Sequence, residues 1–398
     1  MSGPALMLAG FASAGSATDA SSLLAGITVS AAVGGPVLGV LLDRAERPGR
    51  LLAGALVLYA AGLGAILAGL GRLPFAVVLL VAVPTGLLGP ALSGGWTAQL
   101  PRVATGDRLS RANALDAMTF GVASLAGPAL AGGTAQALGA PAAVVVSAAL
   151  IGLAVPAAWM LPSGPGTPVP AGAGSTGVGS TGVGSTGVGS TGVGSVFGAL
   201  TAGMRVIAGS PALARATLVS VVSCTAQGML TACVVLLGER VLGGAGRGAM
   251  LLFCAAASAL SANAALARFP RRVAPDTLVR AGALVQAAAL ALAVPGRPAL
   301  LIVAAFLLGI GEGPQLAALF EIRHRESPDH LRGQVFTTGA SLKITGSALG
   351  AAVAGPVAAR SLPGALGLAA GVAALAALAH FVVPSGPVGA SGRGTSSS

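Results

Sequence analysis

The chain has 398 residues, of which 54% are hydrophobic and only 8% charged, and its mean hydropathy is +0.88. Soluble domains carry about 25% charged residues, so a water-solvated fold cannot hide this much apolar surface and lipid must solvate it. The formal charge of +11 comes from arginines standing singly or in small clusters between apolar runs, with no basic–aromatic module, which excludes a nucleic-acid partner and points to membrane loops.

A bilayer-crossing helix needs about 20 mostly apolar residues. Cutting the chain at charges and Pro/Gly clusters predicts spans over 3–18, 22–42, 51–71, 75–99, 113–137 and 141–161. A second set follows over 212–238, 247–268, 277–294, 298–320, 334–357 and 363–383. The expected fold class is an all-α polytopic membrane protein, twelve transmembrane helices in two parallel six-helix bundles. The first span offers about 15 residues before Thr18-Asp19, or about 22 Å against a ~30 Å hydrocarbon core. Either the bilayer thins around it, or this helix is truncated and the true start lies upstream; the second is the expectation. Asp19, at its outer end, is either a gate or proton-entry acid or a solvated loop residue.

Between spans two and three the sequence reads Gly39-Val-Leu-Leu-Asp43-Arg44-Ala-Glu46-Arg47-Pro-Gly-Arg50, a dense charge cluster. A carboxylate among arginines at a helix end can form charge-assisted bonds that one conformational state keeps and another breaks. The alternative is a solvated loop that only sets topology. Span four, from Pro74 to Leu100, carries no charge. Span five contains Gly121, Gly127, Pro128 and Gly132, where small residues allow close helix approach and proline bends the helix. Asp116, near the start of span five, is expected to pair with Arg108 or Arg111.

A Pro/Gly/Ser-rich stretch then separates the halves. Residues 175–194 repeat Ser-Thr-Gly-Val-Gly four times, a composition that behaves as flexible coil. The expected organisation is a bundle over 1–162, a cytoplasmic linker over 163–196, a bundle over 197–384 and a disordered cytoplasmic tail over 385–398. Ionisable groups inside spans cost roughly 2.5–3.5 kcal/mol each and are functional candidates by default. Glu312, in Gly309-Ile-Gly-Glu-Gly-Pro314, and Lys343, in span eleven, lie at comparable depths of about 13–17 Å from the cytoplasmic end. They read as a cavity-lining pair whose protonation or substrate pairing changes, or as a static salt bridge that locks two helices. Gln227, Asn263, Gln286 and Gln315 suit interhelical hydrogen bonding, with substrate contact the alternative for Gln227 and Gln315. Cys224, Cys233 and Cys254 lack Cys-x-x-Cys spacing and read as small buried hydrophobes.

With the 39–50 loop inside, sixteen arginines fall on the cytoplasmic face and five opposite, as the positive-inside bias requires with both termini cytoplasmic. That count places Arg215, at the start of the span over 212–238, and Arg323 and Arg325, beyond the span over 298–320, on the cytoplasmic side, and His324 in a loop. The halves also echo each other. Ala53-Gly-Ala-Leu-Val57 recurs as Ala281-Gly-Ala-Leu-Val285, Gly89-Pro90 as Gly313-Pro314, and Asp107-Arg108 as Asp329-His330-Leu331-Arg332, at offsets of 228, 224 and 222.

On these residues the chain resembles the major facilitator superfamily, efflux type. Gly39, Asp43, Arg44, Arg47 and Arg50 match the Gly-x-x-x-Asp-Arg-x-x-Arg pattern of that family's loop between helices two and three. The resemblance implies a conformational latch, with the aspartate capping and pairing across the half-interface in the outward-facing state. Gly121 to Gly132 resembles the Gly-Pro-rich motif of the family's exporters, with Ala131 where a glycine is usual. Proton-coupled drug exporters of the family carry an arginine in span four; this chain departs from them there. The resemblance implies a secondary carrier in the cell membrane that moves a small organic molecule by alternating access, exporting it with ion or proton coupling and working as a monomer; the largely uncharged spans point to an apolar or amphipathic substrate. The alternatives are a membrane-embedded enzyme acting on a lipid or prenyl substrate, or a receptor or scaffold. No adjacent acids, Walker A pattern or metal-ligand spacing occurs, so neither an enzyme, a cofactor nor a metal site is expected.

Overall fold

The computed structural model of the chain describes residues 5–6, 9, 17–162, 193–268 and 273–382. Among them there is helix and turn but no strand. Helix α1 spans Ala17–Arg44, α2 Pro48–Gly69 and α3 Phe75–Leu87; a π turn (Ala91–Gly95) and a short 3-10 turn (Leu100–Arg102) follow. Next come α4 (Asp107–Leu138), α5 (Ala140–Leu153) and its continuation α6 (Val155–Trp159). Beyond the linker lie α7 (Val193–Gly209), α8 (Pro211–Arg240), α9 (Ala245–Arg268), α10 (Pro275–Ala293) and α11 (Pro298–Glu326). A 3-10 turn (Asp329–Leu331), α12 (Arg332–Arg360) and α13 (Leu362–Val382) complete the chain.

Local chemistry sets these boundaries. Prolines open α2, α8, α10 and α11, where their missing N–H costs nothing and their fixed φ suits the first turn. Ser210 caps α8, its hydroxyl accepting the Leu213 N–H at 3.4 Å. Gly139, at φ 91°, makes the one-residue reversal between α4 and α5, a conformation that glycine adopts without steric cost.

Ten helical segments of the described residues are long and apolar enough to cross a membrane. Helix α4 is not among them, but its 32 residues reach about 48 Å, more than the ~30 Å hydrocarbon core. Predicted spans two to twelve therefore each coincide with a helix; the first falls almost wholly outside the described residues. Helix α7 was not foreseen, and it begins four residues inside the expected linker. Its apolar residues Phe197, Leu200, Met204 and Ile207 recur at the spacing of one helical face, a pattern that a search for continuous apolar runs passes over.

Contacts divide the chain into two compact units, each discontinuous in sequence. Unit one comprises Met1–Thr105, Leu130–Arg205 and Ser327–Ser341; unit two comprises Gly106–Ala129, Val206–Glu326 and Leu342–Ser398. In unit one α1 packs on α3, and α2 on α3, α5 and α6, around Leu23, Tyr59, Leu63, Ile66, Val78 and Val144. In unit two α8, α9, α10, α11 and α13 pack together. There α10 and α11 approach so closely that a Cβ on Gly282 would sit 2.6 Å from the Gly311 carbonyl oxygen. Small residues of this kind drive helix association in lipid, where burial of apolar surface gains nothing. An apolar cavity of about 30 Å³ lies among α8, α9, α10 and α11. Its lining of Leu, Val and Ala gives a polar ligand or a water no hydrogen-bond partner.

Candidate functional site

Asp43 is the second-last residue of α1, and its carboxylate reaches the start of α12, both within unit one. Oδ1 accepts the Gly333 N–H at 2.6 Å and Oδ2 the Gln334 N–H at 2.9 Å. A helix begins with four N–H groups lacking intrahelical partners, carrying the positive end of its dipole. The Asp43 carboxyl group therefore caps a helix that lies about 290 residues away in sequence. Two glycines make the approach possible. A Cβ on Gly333 would come 2.6 Å from Asp43 Oδ1, and one on Gly39 would come 2.5 Å from Gln334 Cα.

The contact continues along both helices. The Gly35 N–H donates to Ser341 Oγ at 3.1 Å, and that hydroxyl donates to the Ala31 carbonyl at 2.7 Å. Gln334 holds a second segment, since its Oε1 accepts the Gly203 N–H of α7 at 2.8 Å. Arg332 bonds Asp329 in the preceding turn, and the fields of Arg332 and Arg102 both reach Asp43. Partial burial and then the neighbouring Arg332 pull the Arg102 guanidinium below its usual pKa, against the attraction of Asp43. The rest of the motif stands apart. Arg44 and Arg47 are exposed and make no ion pair among the described residues, and the Arg50 guanidinium lies 5.2 Å from the centroid of the Trp159 ring.

Unit two holds the polar groups of the second half. Gln227 Nε2 donates to Gln286 Oε1 at 3.0 Å, and Gln286 Nε2 to Gln315 Oε1 at 2.7 Å. Gln315 Nε2 in turn donates to the Val279 carbonyl at 3.3 Å. This amide ladder ties α8, α10 and α11 together. Glu312 and Lys343 are half-buried and form no ion pair among the described residues, although each lies within the other's electrostatic reach and both act on Cys224. The same three helices as the ladder meet again at their ends. Asp276, in the first turn of α10, pairs with Arg215 of α8 at 2.5 Å and with Arg325 of α11 at 3.6 Å.

Several charges differ from their expected places. Arg323 and His324 lie in α11, which continues six residues past the predicted span end, and Arg323 is only 1% exposed. Basic residues are favourable in a helix's last turn, where they meet the negative end of the dipole, so the helix does not stop where apolarity stops. Arg323 follows Glu312 by eleven residues, about three turns, which puts both on one face; that spacing was the signal available in the sequence. Arg215, at the start of α8, is likewise buried. Asp116 is 7% exposed, whereas Arg108 and Arg111, its expected partners, stand exposed. A Cβ on Gly121 or Gly132 would meet nothing within 4 Å; Gly127 is buried, and the Pro128 side chain lies outside the described residues. Asp19 falls in the first turn of α1, with its side chain also outside them. The three cysteines are free.

A family model described as Major Facilitator Superfamily matches residues 1–278. The chain belongs to that superfamily. It is a multi-pass membrane transporter, and the all-α architecture of twelve helices in two six-helix bundles fits solved superfamily structures. The human organic anion transporter MFSD10 (TETRAN) is similar at 16% identity, with 91% of this chain and 85% of that chain covered and a TM-score of 0.69. A bacterial homologue of the iron transporter ferroportin in its outward-facing state has 13% identity, coverage of 96% and 97%, and a TM-score of 0.68. The proton:xylose symporter XylE bound to 6-bromo-6-deoxy-D-glucose has 12% identity, coverage of 96% and 94%, and a TM-score of 0.67. No curated protein matches the chain. At these identities the likeness is one of fold.

Proposed function

We propose that this superfamily member is a monomeric secondary carrier of the cell membrane that exports a small apolar or amphipathic molecule by alternating access, coupled to an ion or proton gradient. The moving bodies are the bundles over 1–162 and 197–384, both termini lie in the cytoplasm, and the 39–50 loop faces the cytoplasm. The observation that carries the reading is the Asp43 cap on Gly333 and Gln334. It joins the end of a first-half helix to the start of a second-half helix through bonds that water can replace. A bond set of that kind suits a latch made and released in each cycle. Gly39 gives the latch its clearance, and Arg44, Arg47 and Arg50 hold the loop at the membrane face.

Coupling is assigned to Glu312 with Lys343. Their separation beyond ion-pair distance leaves each able to exchange a proton or a substrate group, which a locked salt bridge would prevent. Gln227 and Gln315 support this region through the amide ladder, and Asp19 is the remaining candidate for proton entry. Gly121, Gly127, Pro128 and Gly132 are the helix-packing motif of α4, and the exporter likeness of that motif favours outward transport. The largely uncharged spans favour an apolar or amphipathic substrate. Inverted vesicles test the reading directly. A compound panel is screened for uptake with and without an imposed proton gradient, with Glu312→Gln as the paired variant. Gradient-driven uptake that Glu312→Gln abolishes supports it; uptake that is indifferent to both gradient and variant overturns the coupling.

A further inference from the structure

Helix α8 carries one polar face. Thr217, Ser220, Cys224, Gln227 and Thr231 recur at steps of three and four residues, the spacing of a single helical stripe. The stripe is buried at Thr217 and Ser220, half-buried at Cys224 and Gln227, and exposed at Thr231. Gln227 lies near the middle of this thirty-residue helix, about 20 Å from its nearer end.

The amide ladder fixes which atom Gln227 presents. A main-chain carbonyl only accepts, so the Gln315 atom facing the Val279 carbonyl is the donor Nε2. Gln315 Oε1 is then the acceptor, and Gln286 must meet it with Nε2. Gln286 Oε1 in turn requires Nε2 of Gln227. One carbonyl thus sets the sense of three carboxamides across α8, α10 and α11. At the far end Nε2 of Gln227 is committed, and its Oε1 makes no hydrogen bond among the described residues and is open rather than enclosed. One turn on, the Thr231 hydroxyl donates to the Gln227 main-chain carbonyl at 2.9 Å, which leaves the hydroxyl oxygen as an acceptor too. An amide that donates becomes a stronger acceptor at its oxygen, and a carbonyl without a donor is costly away from bulk water.

We infer that Gln227 Oε1 is the specificity contact for the transported molecule, whose polar end is an N–H or O–H donor. The inference rests on the carrier reading above and names the chemistry of its substrate. Gln286 and Gln315 are positioning residues: both are buried and have their oxygen and nitrogen engaged, so they hold the Gln227 amide in one sense without touching a ligand. A polar end with acceptors alone would meet the lone pairs of Gln227 and Thr231 and is disfavoured. Cys224, one turn before Gln227, lies within electrostatic reach of Glu312 and Lys343, so the contact adjoins the groups to which coupling is assigned.

Matched probes that differ in the donor test it. Full-length protein in phosphatidylcholine nanodiscs is titrated with tritiated 4-octylphenol and its methyl ether, and with N-butyloctanamide and its N-methyl derivative. Binding to empty nanodiscs is subtracted. Each donor is expected to bind saturably and about fivefold tighter than its methylated partner, the factor for one hydrogen bond. Gln227→Leu should make the partners equivalent by weakening the donors alone, and unchanged binding of the methylated probes shows that this variant is folded. Gln286→Leu should also erase most of the preference, because the Gln227 amide can then turn; a merely structural loss would weaken both partners alike. Equal binding of donor and methylated probe by the unaltered protein overturns the inference. So does the absence of saturable binding by both donors, or a preference that survives Gln227→Leu. A donor preference without gradient-driven uptake into inverted vesicles upholds the contact and fails the carrier reading. Equal gradient-driven uptake of donor and methylated probes fails this inference alone.

Discussion

Asp43 and Asp276 sit at helix ends in different units and are held in opposite ways. Asp43 accepts two main-chain N–H groups and makes no ion pair among the described residues. Asp276 is gripped by the guanidinium of buried Arg215 and approached by Arg325. When the first contact opens, water can replace the carboxylate at a helix N-terminus at modest cost. When the second opens, a guanidinium whose side chain is 9% exposed loses its counter-charge, which is expensive. The same residue type thus makes a releasable cap in one unit and a fixed clip in the other.

Asp276→Ala carries the largest expected effect on stability. Stranding a buried charge costs about 3–5 kcal/mol, and the 29% exposure of Asp276 brings the expectation to the lower end of that range. Thermal unfolding in detergent should show a midpoint several degrees lower. An unchanged midpoint would erase the contrast between clip and cap.

Asp43→Ala should behave differently. Losing a helix cap costs about 0.5–2 kcal/mol, so the unfolding midpoint moves little. The same energy, spent on a two-state equilibrium, shifts its populations up to about tenfold or more. Spin labels introduced through Glu46→Cys and His330→Cys, both at exposed positions, should report a longer-distance population in Asp43→Ala. A narrow, unshifted distance distribution would mean that the cap is not what holds these segments together. Gly333→Ala sharpens the point. Its methyl would intrude 2.6 Å from Asp43 Oδ1 and weaken the cap, while alanine favours helix by ~1 kcal/mol over glycine. The label distances should lengthen as in Asp43→Ala without any fall in the unfolding midpoint.

Most helices of this molecule are legible as apolar runs cut by charges, because lipid imposes that pattern on any spanning segment. What the residues could not reveal is instructive. Asp43 was legible as a capping acid in a charged loop, but which groups it caps was not, because the main-chain N–H groups of Gly333 and Gln334 are advertised by no residue type; only the missing Cβ of Gly333 hints at them. Arg323 was read as a loop charge because the apolar run ends at Phe320, whereas helix geometry carries it inward. Gly89-Pro90 and Gly313-Pro314 look alike, yet the first leads into a π turn and the second sits within unbroken α11. The following residues decide this. Ser93-Gly94-Gly95 gives the helix little propensity, while Leu316-Ala317-Ala318-Leu319 gives it a great deal.

The smallest expected effect tests whether unit two is fixed at more than one level. The amide ladder joins α8, α10 and α11, the same helices that Arg215, Asp276 and Arg325 join at their ends. Gln286 is its middle member and is 2% exposed. Gln286→Leu removes both ladder bonds while filling most of the volume. Interhelical hydrogen bonds in membranes contribute about 0.6 kcal/mol each, so the loss should be about 1 kcal/mol. Asp276 and Gln286 are ten residues apart on one helix, about 15 Å, beyond the range at which substitutions normally couple. The double variant should therefore lose the sum of the two single losses, and Asp43→Ala label distances should be unaffected by either change. A double variant that loses no more than Asp276→Ala alone would show that the clip and the ladder are one cooperative element, and that unit two is fastened once rather than twice.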